Sequence, residues 1–210
     1  LADIGRLFNP ALNIIDALIA QTGGEWSATG QEAPVVVNAL IAGDHPVATD
    51  AVGAYLMGHD PQADWLTPPF HRDRNALLVA AEGGFGTVDL AEIDWTSEVS
   101  PQSPGIFFAA MTDDVARVIS WRRTTCEQAL YYRDHQRDFV AKYAGEFILL
   151  QENEVKWHDT SSFLRQSRRV LSGDRPDQAM WLKYVDPDEA EGEHFEVYER
   201  ALADMAARGL

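Results

Sequence analysis

Apolar positions cluster in runs that predict particular elements. Val35-Val36-Val37-Asn38-Ala39-Leu40-Ile41, bounded by Pro34 and Gly43, is β-branched and almost wholly apolar. That pattern predicts a strand buried on both faces. Asp44-His45-Pro46 then supplies a cap and a first-turn proline, and Val47 to Met57 continues as a helix closed by Gly58. A strand followed by a helix predicts an α/β layer. Upstream, Leu12-Asn13-Ile14-Ile15 fits a short strand ending at Asp16 or a helix opened at Asn9-Pro10, and periodicity does not choose between them.

The second half reads differently. Thr124 to Tyr143 lacks Gly and Pro and is rich in helix formers, with Gly145 just beyond, so it predicts one long helix. Phe147 to Leu150 and Val155 to Trp157, joined across Glu152-Asn153, predict a β-hairpin. A helix from about Ser161 to Leu171, a strand over Met180 to Val185 and a terminal helix over Glu189 to Ala207 complete an α-β-β-α-β-α order. The expected fold class is therefore α/β, an open layered sheet with helices, plus a smaller α+β module at the carboxyl end. Ser100-Pro101-Gln102-Ser103-Pro104-Gly105 has the composition of a turn or linker and divides the chain into residues 1–105 and 106–210.

Composition adds charge to this picture. The chain has 210 residues, 46% hydrophobic and 24% charged, which excludes disordered and fibrous classes. Seventeen basic against thirty-three acidic residues leave a net charge of -16, and residues 1–105 hold 14 of the acids with only Arg6, Arg72 and Arg74 opposing them. Such a field repels nucleic acid and anionic membrane and favours cations or basic partners. No apolar run approaches the roughly 20 residues of a membrane span, so no membrane insertion is expected. Cys126 is the single cysteine, which excludes an intramolecular disulfide and any Cys-based metal or iron–sulfur centre carried by this chain, and fits a cytoplasmic, reducing compartment. The chain opens on Leu1 without a signal-peptide layout and is expected to be a fragment or processed product.

Asp50 is the most informative residue. Its helix is apolar nearly all round, and Asp50 shares a face with Val47, Ala51 and Ala54. A carboxylate there costs several kcal/mol unless it is paired, coordinated or protonated, or unless it faces solvent or neighbouring backbone. Asp44 and His45 follow a strand, where open α/β sheets place their ligand crevice. If Asp16 also ends a strand, then Asp16, Asp44 and Asp50 form an oxygen-rich set suited to Mg²⁺ or Mn²⁺, with His45 the candidate proton carrier. The structural alternatives make Asp44 an N-cap, Asp16 a turn acid and His45 an exposed turn residue. Gly83, Gly84 and Gly86 are a candidate anion cradle or, alternatively, a helix C-cap. His71 is a spare with no neighbours defined by sequence. Arg165, Arg168 and Arg169 share one face of their expected helix, either to bind an anion or to pair with surplus acids. Glu189, Glu191, Glu193, His194 and Glu196 form an acidic helix start.

Leu12-Asn13-Ile14-Ile15-Asp16-Ala17, the block Ala42 to Gly58 and the turn Gly84-Phe85-Gly86-Thr87 resemble the uncharacterised family catalogued as domain of unknown function 362. Its pattern is a hydrophobic run ending in Asp-Ala, an Asp-x-x-x-Ala-x-Asp-Ala helix ending Leu-Met-Gly, and a Gly-x-Gly-Thr turn. The resemblance covers about residues 1–95 and is most specific over Asp44 to Gly58. It implies a strand at Leu12 to Ile15, shared acids at Asp16, Asp44 and Asp50, and the carboxyl-terminal part of a larger domain. That family is often associated with ferredoxin-type iron–sulfur segments and redox contexts, and this chain lacks their Cys motif. Phe139 to Asp186 more loosely resembles a small α+β appendage found elsewhere. Two functions remain open: a site for a divalent cation or polar small molecule, with or without catalysis, and a non-catalytic acidic subunit that docks a protein partner or an upstream portion of the same protein.

Overall fold

A computed structural model describes residues 2–8, 10–23, 32–108, 114–175, 177–189 and 194–210. It divides into two compact units, Leu1–Val115 and Ala116–Leu210. The chain is mixed α/β, with helices and two small antiparallel sheets. The stretch read as a linker is instead part of the first unit. The Gln102 backbone N–H donates to Leu56 O at 2.9 Å, and Phe107 is buried.

In the first unit, α1 (Ala2–Phe8) precedes two long strands, β1 (Asn13–Thr22) and β2 (Ala33–Gly43), which pair antiparallel. The hydrophobic run at Leu12 thus resolves as a strand, but one that continues past Asp16. In register, Asp16 lies opposite Leu40, in mid-ribbon rather than at a sheet edge. Pairing shifts between Ala17 and Ile19, where β2 places Val37 and Asn38 against the single Leu18. Asn38 has φ 57, a conformation Asn tolerates better than the β-branched residues around it. This bulge explains why one polar residue interrupts an otherwise apolar run.

The expectation that β2 is buried on both faces is corrected. Burial alternates along both strands, and the outer face leaves Ile14, Val36 and Leu40 63–65% exposed. An antiparallel ribbon carries no crossover helices to cover its second face. The inner face packs on α2 (Pro46–Leu56), which also meets α3 (Ala76–Glu82). Val47 and Ala51 of α2, Ala80 of α3, Phe85 and Val88 make that core.

The second unit contains α4 (Val115–Asp134), α5 (Gln136–Tyr143), β3 (Phe147–Gln151), β4 (Glu154–Asp159), α6 (Arg168–Leu171), β5 (Trp181–Tyr184) and α7 (Glu196–Ala207). Its sheet order is β4-β3-β5, all antiparallel. Ile148, Leu149 and Leu150 of the central strand are fully buried. Glu152 and Asn153 both have positive φ, as a two-residue hairpin turn requires. The long helix expected from Thr124 breaks at His135, whose carbonyl accepts from both Asp138 and Phe139 N–H groups. The helix expected from Ser161 shrinks to α6. Asp159 Oδ1 accepts the Ser161 N–H at 3.1 Å and Ser161 Oγ accepts the Phe163 N–H at 3.2 Å, side-chain turns that compete with a helix. Arg165 therefore lies before α6, and the three arginines do not share one helix face. No helix among the described residues is long and apolar enough to cross a membrane.

Candidate functional site

Helix α2 separates two cavities of the first unit. Proline at its first position and buried Val47, Thr49, Ala51, Val52, Gly53 and Leu56 make it a core element. His45, not Asp44, occupies the N-cap, and its side chain makes no cap bond; the Thr49 hydroxyl donates to His45 O at 2.8 Å instead. The N-cap alternative for Asp44 is thereby corrected.

The larger cavity, about 850 Å³, lies between the inner face of the ribbon and α2. Small-molecule sites run roughly 300–1,000 Å³ with mostly apolar walls. Here Ile15, Val37, Ile41, Phe70, Leu77 and Phe107 contribute apolar wall, and Gly53 and Ala54 of α2 keep the space open. Asp50 lines it while remaining exposed, so the helix is not closed all round as its sequence suggests. Partial desolvation by that wall pushes the Asp50 carboxyl above its ordinary value. His59 lines the same cavity, and burial lowers its pKa. Burial thus disfavours the charged form of each group. Sequence reasoning missed His59. The available signal was a histidine directly beyond the Gly58 that ends the Asp50 helix.

Asp16 borders this cavity only from the ribbon, exposed on the outer face opposite Leu40, and Asp44 lines a separate cavity of about 470 Å³, with Thr49, Asp94 and Glu98. The Asp16 carboxylate accepts the Leu18 N–H at 3.0 Å beside the bulge, within the strand rather than in a turn. Among the described residues, no three His, Cys, Asp or Glu side chains stand together as a metal set. The structure therefore does not gather the three acids: Asp50 faces this cavity, Asp16 the outer face of the ribbon opposite Leu40, and Asp44 the other cavity.

His45 lines neither cavity. Its ring packs on Phe85 with centroids 4.9 Å apart, and its Nδ1 is buried without a hydrogen bond to the described residues. The structure thus gives His45 a packing contact and keeps it apart from the cavity that holds Asp50. The anion cradle expected at Gly83, Gly84 and Gly86 is likewise a helix terminus. Gly83, Gly84 and Phe85 N–H groups return to the carbonyls of Val79, Ala81 and Ala80, closing α3 and committing these three donors. Arg6 donates to Gly83 O, and its guanidinium carbon sits 5.9 Å from the Phe85 ring centroid.

The remaining candidates are structural. His71 Nδ1 lies 3.1 Å from Pro69 O. Asn75, 1% exposed, donates to Pro61 O and Ala63 O and caps α3 by accepting the Leu77 N–H. The Cys126 thiol is buried, and that burial pushes its pKa up. Within the acidic run, Glu189 accepts Lys183 Nζ at 2.6 Å, while Glu191 and Glu193 lie outside the described residues. Comparison of the chain with protein-family models, curated proteins and solved structures finds no match.

Proposed function

We propose that the first unit binds a small organic molecule in the cavity between the ribbon and α2, with Asp50 as the polar group that orients it. One observation carries this reading: a helix that is otherwise core presents its single carboxylate to an apolar-walled space of ligand size. If chemistry occurs there, Asp50 and His59 are the groups available to move a proton. Backbone amide NMR titration with 2-phenylethanol tests the reading. Shifts confined to Gly53, Ala54, Phe70 and Leu77, abolished by a cavity-filling Ala54→Phe that keeps a dispersed spectrum, are expected. Shifts absent, or unchanged in Ala54→Phe, refute it. Elemental mass spectrometry of chelator-free protein runs alongside: stoichiometric metal lost in Asp50→Asn would replace this reading with a cation centre.

A second reading rests on the outer face of the ribbon. Exposed Ile14, Leu18, Ile19, Val36 and Leu40 form an apolar surface that supports a docking role instead. Native-source co-purification of a partner lost in Leu40→Asp would favour it.

A further inference from the structure

Electrostatics narrows the ligand class, on the assumption that the cavity is the binding site just proposed. Among the described residues that line it, Asp50 is the carboxylate that faces the space, and the lining holds neither Lys nor Arg. That imbalance extends beyond the wall. The first unit holds only three bases, and two of them are committed elsewhere. Arg74 pairs with Asp64 at 2.8 Å and with Glu82 at 2.7 Å, and Arg6 lies against Gly83 and Phe85. Arg72 is not part of the lining. Asp16, opposite Leu40 on the outer face, has its carboxylate accepting a backbone N–H, whereas Asp50 is exposed at a cavity whose other wall is largely apolar. An anionic ligand would enter a negatively charged unit with no Lys or Arg in the cavity wall to receive it.

We propose that the cavity takes a small apolar amine, its ammonium paired with Asp50 and its hydrocarbon body on the apolar wall. Three probes with one body separate the head groups: 2-phenylethylamine, 2-phenylethanol and 3-phenylpropanoate, titrated by amide chemical shift at fixed ionic strength. A charge-assisted hydrogen bond predicts amine binding about tenfold tighter than alcohol, and the carboxylate weakest. Asp50→Asn should bring amine and alcohol within about twofold of each other, and Asp50→Glu should keep the amine preference. Raising salt should shrink the preference, since Asp50 is exposed. Equal binding of all three probes, tightest binding of the carboxylate, or a preference that survives Asp50→Asn overturns the amine assignment alone. Failure of every probe to bind overturns the cavity reading together with it.

Discussion

A methyl group at residue 86 would strike the packing that holds His45. Gly86 has φ +79, a region that costs an L-residue about 1–2 kcal/mol. A Cβ there would stand 2.4 Å from His45 Cε1, 2.8 Å from its Nδ1 and 3.0 Å from Val47 Cβ. The imidazole is also held by Phe85, itself buried against Val47, Ala51, Ala80 and Val88, so it cannot yield without disturbing that core. Overpacking of this kind costs about 1–3 kcal/mol, and together the two effects give Gly86→Ala a loss of about 2–5 kcal/mol. Gly84 provides the control: its φ is +76 but nothing lies within 4 Å of a Cβ, so Gly84→Ala should lose only about 1–2 kcal/mol. In a His45→Ala background the part due to the imidazole should vanish while the Val47 contact stays, leaving a coupling of up to about 1–3 kcal/mol. Native-state hydrogen exchange of peptides from α2 isolates the first unit from the second. Equal losses of protection in the two glycine variants, or no coupling to His45→Ala, would refute the argument.

Other consequences follow from the same contacts. Tyr132, fully buried, packs with Phe139, Trp181 and Phe195 at centroid distances of 5.1–6.0 Å, so Tyr132→Ala should cost the second unit about 3–5 kcal/mol. A urea-melt loss under about 1.5 kcal/mol would contradict that packing. Burial alone would raise the Asp64 carboxyl, but Arg74 and the Trp65 and Asn75 N–H groups outweigh it and hold the group below its usual value. Its stabilisation is therefore present above the unfolded carboxylate pKa of about 3.9 and is lost as pH falls through the lower folded value. Asp64→Asn should flatten that part of the acid limb of urea midpoint against pH, and an unchanged limb would count against the assignment. Leu40→Thr on the outer ribbon face should shift stability by less than about 0.5 kcal/mol, because the side chain is already exposed; a drop near 2 kcal/mol would show that this face is covered.

Much of the backbone was legible in local sequence. The proline at the start of α2 and Gly58 beyond its end bracket that helix as expected, and the Glu152-Asn153 turn sets the hairpin of β3 and β4, because these signals act over a few residues. Extents were less legible. The Ser161 segment lost its helix to side-chain turns, and nothing local marks the break at His135. At the site, sequence singled out Asp50 from one charge on an apolar helix, yet it grouped Asp44 with it and passed over His59.

The sequence by itself determined the mixed α/β class, the Asp50 helix and the acidic balance of the chain, since each follows from neighbouring residues or from composition. Only tertiary structure decided that the first two strands pair antiparallel, because an apolar run carries no information about its partner's direction. That pairing places Asp16 in mid-ribbon and opens one strand face to solvent. It also leaves α2 between two cavities, sending Asp44 to one and Asp50 with His59 to the other. Which side chains share a space depends on packing between segments distant in the chain, and no spacing along the sequence records it.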